Sequence, residues 1–313
     1  MKSSIAIFKT IVVLLIVSFV LIAMSTKLLQ AENGRLEQIA EQSALSSVKV
    51  KEAIEEFRKL GAQKTVTVGI IATGVDTSVP ELKGRLLGGA SFVESEPDVF
   101  DYHGFGTHVT AIVAAVAPNA KILPIKALDK RGNSSLPVII KGINFAIDQK
   151  VQILLIAGGG PKATAELGEA AVRARKNGVL FIAPSGNAGS EKPIYPGFFK
   201  NVLAVGSTDG EGKLASFTSY GDWVSLYAPG LNVKSIFGND RFITLSGAQA
   251  SAATVAGIAA LIMGINPNLR IDSVEKILIT TATDISAENR KLDSGARRLN
   301  ALAAVRAAKD SQD

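Results

Sequence analysis

The sequence predicts an α/β protein, a three-layer α/β/α sandwich built on a mainly parallel central sheet. From residue 65 onward, short apolar and β-branched runs alternate with longer amphipathic stretches. The apolar runs are nearly continuous, as in parallel strands that are buried on both faces. Strands that alternate with helices of this length connect through crossovers that place helices on both sides of one sheet. The chain has 313 residues, 47% of them hydrophobic, which is enough for one large domain.

The elements follow in order along the chain. A segment at 32–60, rich in Glu, Lys, Gln and Ala with apolar residues at helical spacing, predicts helix before the first strand. Gly178 is the stop signal of the last predicted helix. The predicted strands are 66–71, 121–127, 151–157, 179–184 and 202–207, and the predicted helices between them are 106–116, 136–149 and 163–177. Such sheets bind ligands at the carboxyl ends of their strands, so functional residues are expected in the loops there.

Composition excludes several kinds of site. The chain has no cysteine and only two histidines, which excludes disulfides, thiol nucleophiles, cysteine-ligated zinc and histidine-rich metal sites. We therefore expect no metal and no cofactor. The net charge of +6, from 34 basic and 28 acidic residues, is spread along the chain. This favours solubility or a mild attraction to an anionic surface and argues against nucleic-acid binding.

The N-terminal residues 1–31 predict a membrane segment. Lys2 and Lys9 precede an apolar run at 11–24, and the lysines are expected on the cytoplasmic side. Ala31 is the nearby candidate for a cleavage site, but Leu29 two positions before it is a poor match for a signal peptidase. An uncleaved anchor is therefore favoured over a cleaved signal peptide. Both predict a domain outside the cytoplasm, either anchored or, after cleavage, secreted or periplasmic.

The remainder is divided into a helical linker, 32–43, and a single domain, 44–313. Within the domain, three segments at predicted strand ends or helix starts carry a recognisable signature: Ala72-Thr73-Gly74, His103-Gly104-Phe105-Gly106-Thr107-His108-Val109 and Ser246-Gly247-Ala248-Gln249-Ala250-Ser251-Ala252. They resemble the three catalytic motifs of the subtilisin-like serine proteases, the subtilase or peptidase S8 family. The resemblance extends over about 44–306 and implies a subtilisin-like fold.

Two further segments are similar to ligand-binding parts of that family. Asn187, in Gly186-Asn187, stands where the family has the asparagine that donates to the oxyanion. The pair is also common in turns, which is an alternative explanation for it. The segment Ala157-Gly158-Gly159-Gly160 is similar to the family's Ser-Leu-Gly-Gly substrate-binding strand. The resemblance therefore implies a groove for an extended peptide.

The reacting side chains of that family are missing. Ala72, Phe105 and Gln249 stand where the resemblance places the aspartate, the histidine and the serine. Acyl transfer by this route needs a hydroxyl nucleophile, an imidazole that takes its proton and a carboxylate that orients the imidazole. None of the three residues supplies such a group. The sequence therefore predicts a degenerate member without proteolytic activity.

Other residues were weighed as replacements. His108 is expected to be a core residue, whereas His103, on a glycine-flanked loop, could act as a base only with a hydroxyl within about 3 Å. Ser246 and Ser251 flank Gln249, but their shifted positions in the chain point them elsewhere. Asp76 and Glu81 fall near metal positions of the family, but its calcium-binding insertion is absent, so no structural ion is expected.

The resulting hypothesis is a membrane-anchored or exported pseudoprotease that binds an extended peptide or a protein partner. The predicted contact is the segment 157–160, where backbone groups can pair with a strand whatever its side chains. Two rivals stay open. One is a serine hydrolase that works through a non-standard site such as His103, and the other is a structural subunit of the cell envelope.

Overall fold

A computed structural model describes residue 18 and residues 34–61, 64–238, 241–287, 289, 292 and 295–311. The predicted anchor or signal segment, 1–31, lies outside the described residues except for Ser18.

The described strands form one large sheet and one hairpin. The strands are β1 (Val66–Ala72), β2 (Ala90–Ser91), β3 (Ala120–Lys126), β4 (Ile153–Ile156), β5 (Leu180–Pro184), β6 (Leu203–Thr208), β7 (Leu226–Pro229), β8 (Val233–Phe237), β9 (Arg241–Leu245), β10 (Thr283–Asp284) and β11 (Arg297–Arg298). The nine-stranded sheet has the order β10-β11-β7-β6-β5-β4-β1-β3-β2, and every pair except β10–β11 is parallel. Strands β8 and β9 pair separately and antiparallel.

Helices cover both faces of the sheet. They are α1 (34–41), α2 (Ser43–Ser46), α3 (Val50–Lys59), α4 (Phe105–Val116), α5 (Leu136–Asp148), α6 (Ala165–Lys176), α7 (Ala248–Ile265), α8 (Ile271–Thr280) and α9 (Ala301–Asp310), with a 3₁₀ turn at Pro80–Leu82. Helices α5 and α6 pack on one face, and α3, α4, α7 and α9 pack on the other. This confirms the predicted three-layer sandwich, and each strand and helix predicted from residue 66 onward begins and ends within two residues of its observed bounds. The helix predicted over 32–60 is interrupted at Gln42 and at 47–49.

Helix α7 is the centre of the larger core layer. It packs against α4, α9 and strands β4 to β7, and most of its residues are small or aliphatic. A Cβ at Gly257 would lie 2.6 Å from Cβ of Val116, so the close approach of α7 and α4 requires a glycine there. Within the described residues, α7 is the one helix long and apolar enough to cross a membrane. Because 89% of it is buried inside the protein, it has the character of a core helix.

The described part of the predicted linker packs on the domain. Residues 34–41 are helical, and Leu36 and Ile39 are buried in the main core. Arg35 forms a bidentate ion pair with Glu81, whose side chain is buried. Gln42 then bonds to both backbone groups of Lys234 at the start of β8. Helix α1 is thus fixed to the body of the protein by apolar and polar contacts together.

Candidate functional site

A cleft of about 680 Å³ lies at the carboxyl ends of the strands. It is bounded by the residues that follow β4, the loop after β5, the start of α4 and the loop that leads into α5. The predicted site residues that line it are Phe105, Ala157, Gly158, Gly159, Gly160, Asn187 and Gln249. Ala72 is the exception, because it lies buried at the end of β1, beneath the cleft.

Asp101 holds the loop that carries Phe105. Its carboxylate is buried and accepts five hydrogen bonds, two of them from the first turn of α4. Gly104, with φ of 97°, precedes α4 in a left-handed conformation that glycine adopts without strain. The donors are Thr73 Oγ1, the N–H groups of His103, Gly104 and Thr107, and Thr107 Oγ1, at 2.7–3.1 Å. The start of α4 is therefore rigidly placed.

Phe105 gives this part of the cleft an aromatic wall. Its ring lies edge-on to the ring of His103, with centroids 6.1 Å apart. The ring of Phe237 also lies near His103, with centroids 6.4 Å apart, and it covers Gly104. Ala72 lies next to this wall, since a Cβ placed on Gly106 would be 3.1 Å from the Cβ of Ala72. A methyl group and a phenyl ring thus stand at the two positions to which the resemblance assigns the aspartate and the histidine.

Gln249 and Asn187 form the polar contact of the cleft. The N–H of Ala248 donates to Asn187 Oδ1 at 2.8 Å, which requires the oxygen of that amide to face α7. The Asn187 amino group then faces Gln249 and donates to its Oε1 at 3.1 Å. The Gln249 side chain folds back over Gly247, where any Cβ would collide with the carboxamide. The donor that the resemblance assigns to an oxyanion is thus occupied by the protein's own side chain.

The histidines and serines weighed as replacement catalysts do not assemble into a pair. His108 is fully buried, with Nε2 3.3 Å from the carbonyl oxygen of Val233, and burial lowers its pKa to about 4. His103 is exposed at the cleft rim. Ser246 Oγ accepts from the N–H of Asn232, and Ser251 Oγ is buried against Ser207 and Ala228. Neither serine lines the cleft.

Two serines that sequence reasoning missed do line the cleft together with His103. They are Ser134 and Ser135, at the entry to α5. The hydroxyl of Ser134 donates to the carbonyl of Ala127. Serines before a helix are N-cap signals, and that pattern in the sequence could have drawn attention to this loop.

The glycine segment after β4 is hydrogen-bonded at its two ends and not at its centre. Ala157 already donates to the carbonyl of Ile71, and Gly160 exchanges two hydrogen bonds with Tyr195. Within the described residues, no hydrogen bond involves the backbone of Gly158 or Gly159. The backbone groups of these two residues are therefore available for further hydrogen bonds.

Apolar side chains surround one end of the glycine segment. Leu128, Leu136, Ile139, Ile156 and Leu167 line the cleft on the side of α5 and α6. A ligand that pairs with Gly158 and Gly159 can place an apolar side chain among them and remove its surface from water. The cleft thus has an apolar wall at this end of the glycine segment.

The carboxylates weighed for a metal are used by the protein itself. Asp76 Oδ1 accepts from the N–H and the hydroxyl of Ser78. Glu81 binds the guanidinium of Arg35. Among the described residues, no group of three or more His, Cys, Asp or Glu side chains could hold an ion.

Comparisons with known proteins agree with this geometry. A family model described as the subtilase family, peptidase S8, matches residues 63–298. The major intracellular serine protease of Bacillus subtilis is 37% identical over 246 residues, which are 72% of this chain and 77% of that protein. Subtilisin Savinase of Lederbergia lenta is 36% identical over 250 residues, 77% of this chain and 91% of that protein.

A third relative, the thermostable alkaline protease of Halalkalibacterium halodurans, is 36% identical over 225 residues, 69% of this chain. The match covers 62% of that longer protein, less than two thirds of its length. Among solved structures, a cold-adapted subtilisin-like serine proteinase superimposes with a TM-score of 0.71 at 27% identity. The superposition covers 77% of this chain and 90% of the other.

Proposed function

The chain belongs to the subtilase family, and we propose that it is a member that binds an extended peptide or protein segment without cutting it. The observation that carries the proposal is the hydrogen bond from Asn187 to Gln249, inside a cleft that is otherwise retained. The subtilase fold and the glycine segment of the cleft support the binding of a peptide, and the residues at the three positions assigned by the resemblance support the loss of cutting.

Three exchanges support the loss of proteolysis. Gln249 has no hydroxyl, Phe105 cannot take a proton, and Ala72 cannot orient a base. In subtilisin itself, where the measurement was made, loss of the nucleophile or the base reduces turnover by about 10⁶. The self-occupied amide of Asn187 removes a further means of stabilising an oxyanion.

Two features support binding. The unpaired backbone of Gly158 and Gly159 can form strand-like hydrogen bonds with a peptide of any sequence. The neighbouring apolar side chains supply a preference for an apolar residue. The N-terminal apolar run supports placing this domain outside the cytoplasm, either held at a membrane or released from it.

The loss of catalysis is tested with a fluorophosphonate probe, which labels activated serines. We expect the full chain to remain unlabelled. The matched variant carries Ala72→Asp, Phe105→His and Gln249→Ser together, and labelling at position 249 of this variant would show that the probe enters the cleft. Labelling of the unmodified chain would contradict the proposal.

One rival function has an observation in its favour. Ser135 lines the cleft with His103, and no side-chain hydrogen bond of Ser135 caps α5. If these two residues formed a hydrolytic pair, probe labelling of the unmodified chain would disappear on Ser135→Ala and would persist on Ser251→Ala. We expect neither variant to matter.

Binding is tested by backbone NMR of the chain in detergent during titration with a peptide retained from a library. We expect the largest amide shifts at Gly158 and Gly159. Shifts confined to the opposite side of the sheet would place the ligand elsewhere.

A further inference from the structure

We propose that the side of the domain opposite the cleft docks on anionic lipid head groups, so that the cleft points away from the membrane. The inference rests on the anchoring proposed above. It concerns the amino-end face, defined as the segments that lead into β1, β3, β4, β5, β6 and α8: the described residues of 59–65, and residues 117–121, 148–152, 176–179, 199–202 and 266–270.

The amino-end face is strongly basic. Asp148 is the single acidic residue in these six segments, while Asp222 lies in the segment that leads into β7 and Asp310 lies near Asn266 at the end of α9. Two nearby carboxylates on α8, Asp272 and Glu275, both pair with Arg175. The basic residues of the face are seven, each exposed or half-exposed: Lys59, Lys64, Lys121, Lys150, Lys176, Lys200 and Arg270.

Part of this face is concave. A recess of about 510 Å³ opens between the start of β1 and the start of α8, and Lys64, Arg175, Lys176 and Arg270 line it together with Asp272. A lipid phosphate that enters this recess can contact more than one of these cations. The recess therefore adds shape to the attraction that the charges provide.

Helix capping does not account for the whole set. Lys59 and Lys176 stand in the last turns of α3 and α6, where a cation complements the helix dipole. Lys64 and Lys200 lie in loops outside any helix. Lys150 has φ of 54°, in a position after α5 that glycine or asparagine usually occupies. Lys64, Lys150 and Lys200 thus carry positive charge at positions where it does not stabilise a helix end.

The opposite end of the sheet has a different character. The loops around the cleft carry acidic residues such as Glu94, Asp129 and Glu191 beside Lys130 and Lys162. The mixture of signs gives that end little net attraction for an anionic surface. The domain is therefore polarised along the direction of its strands.

The chain enters the domain beside the basic face. Helix α1 packs against the C-terminal end of α4, where Leu36 and Ala115 line one recess. Arg85 comes shortly after Glu81, the partner of Arg35, in the chain. Its guanidinium donates to the carbonyl of Ala114 in the last turn of α4. Strand β3 begins at Ala120, shortly after this helix end, so α1 lies at the level of the amino-end face.

A membrane anchor upstream of α1 would hold this face near the bilayer. The apolar run at 11–24 precedes residue 34 by a short segment. Each lysine near an anionic membrane surface increases the equilibrium constant for membrane binding about fivefold. This attraction is lost beyond a Debye length of about 10 Å. Several lysines close to the surface therefore suffice to set the orientation of the domain.

The experiment is lysine footprinting of the full chain by an amine-reactive reagent and mass spectrometry. The chain is reconstituted in phosphatidylcholine vesicles, or in vesicles that also contain phosphatidylglycerol. We expect labelling of Lys64, Lys150 and Lys176 to fall about fivefold or more in the anionic vesicles. High salt should restore it. Labelling of Lys130 and Lys162, at the cleft end, should be the same in both vesicles.

A variant with Lys64→Glu, Lys150→Glu and Lys176→Glu should lose the protection of Lys200. The matched control is Lys130→Glu, Lys162→Glu and Lys192→Glu, which changes the net charge equally at the cleft end and should keep that protection. Circular dichroism checks that both variants fold. Equal footprints of Lys200 in the two variants would overturn the proposal.

Further outcomes separate this inference from the anchoring. Equal footprints in both vesicles, with the chain floating on both, would overturn the docking and leave the anchor in place. A chain that floats on neither vesicle would overturn both. Protection of the same lysines by inorganic phosphate in neutral vesicles would indicate a site for a small anion and would also overturn the docking on lipid.

Discussion

The stability of the protein should fall steeply below neutral pH because of His108. This side chain lies within the first turns of α4, fully buried, and burial lowers its pKa from 6.5 to about 4 even though the carbonyl of Val233 favours the charged form. The unfolded chain takes up a proton near pH 6.5 and the folded chain does so only near pH 4. The stability that the neutral imidazole contributes is therefore complete above 6.5 and is lost as the pH falls towards 4.

The magnitude follows from the difference between the two pKa values. Each tenfold change in proton affinity is worth about 1.4 kcal/mol, so the contribution at neutral pH is on the order of 3 kcal/mol of unfolding free energy. Most of that should be lost between pH 6.5 and pH 4. This is a large part of the stability of an ordinary domain, which is about 5–15 kcal/mol.

Two assays check this. Urea unfolding of the full chain in detergent, at several pH values from 7 to 5, should give a free energy that falls with pH, whereas His108→Asn should show a much smaller fall. The chain has two histidines, so NMR should resolve both imidazoles separately. The buried imidazole of His108 should take up its proton only as the pH approaches 4. An imidazole of His108 that titrates near 6.5, or an equal pH slope in the variant, would refute the reasoning.

Three further predictions concern the cleft and its supports. Gln249→Ala should free the amide of Asn187 for a ligand carbonyl and raise peptide affinity about two- to tenfold, the worth of one hydrogen bond, by calorimetry; unchanged or weaker binding would contradict the self-occupied site. Arg35→Gln should leave the buried carboxylate of Glu81 unpaired and lower the unfolding free energy by about 3 kcal/mol in urea, and adding Glu81→Gln should recover part of it; an equal loss in the double variant would show that the loss does not come from an unpaired carboxylate. Asp101→Asn should lower the unfolding free energy by about 2 kcal/mol or more, because an amino group would face donors that the carboxylate now satisfies; a change within error would mean that the loop is held by other contacts.

The layers of the fold were predictable because the signals are local. Strands β1, β3, β4, β5 and β6 are buried on both faces. Strands buried in this way have nearly continuous apolar sequences, which can be recognised without a structure. Helix α7 was less visible, although its sequence was singled out as a motif. It is apolar on all sides, so it lacks the amphipathic period that identifies a surface helix.

The sequence predicts which residues line the cleft, but it does not predict the hydrogen bonds between them. The resemblance placed Phe105, Asn187 and Gln249 near one another, and all three line the cleft. The bond between Asn187 and Gln249 joins residues 62 positions apart and depends on side-chain rotamers, which leave no trace in the sequence. In the same way, only the structure shows that Gly160 is already paired with Tyr195.

The position of α1 was also beyond sequence reasoning. An amphipathic segment predicts a helix with one buried face, but it does not say what covers that face. The partner of Arg35 is 46 residues away in sequence. Long-range ion pairs of this kind become visible only when the chain is folded.

The central claim is that this cleft holds peptides and does not cut them. The most direct test is mass spectrometry of a peptide library incubated with the full chain in detergent, in which each peptide is scored as retained, cut or ignored. The account predicts intact peptides that are retained, that carry a large apolar residue and that are lost when Gly159→Pro removes a backbone donor of the cleft. Peptides cut by the unmodified chain, with cutting abolished by His103→Ala or Ser135→Ala, would contradict it.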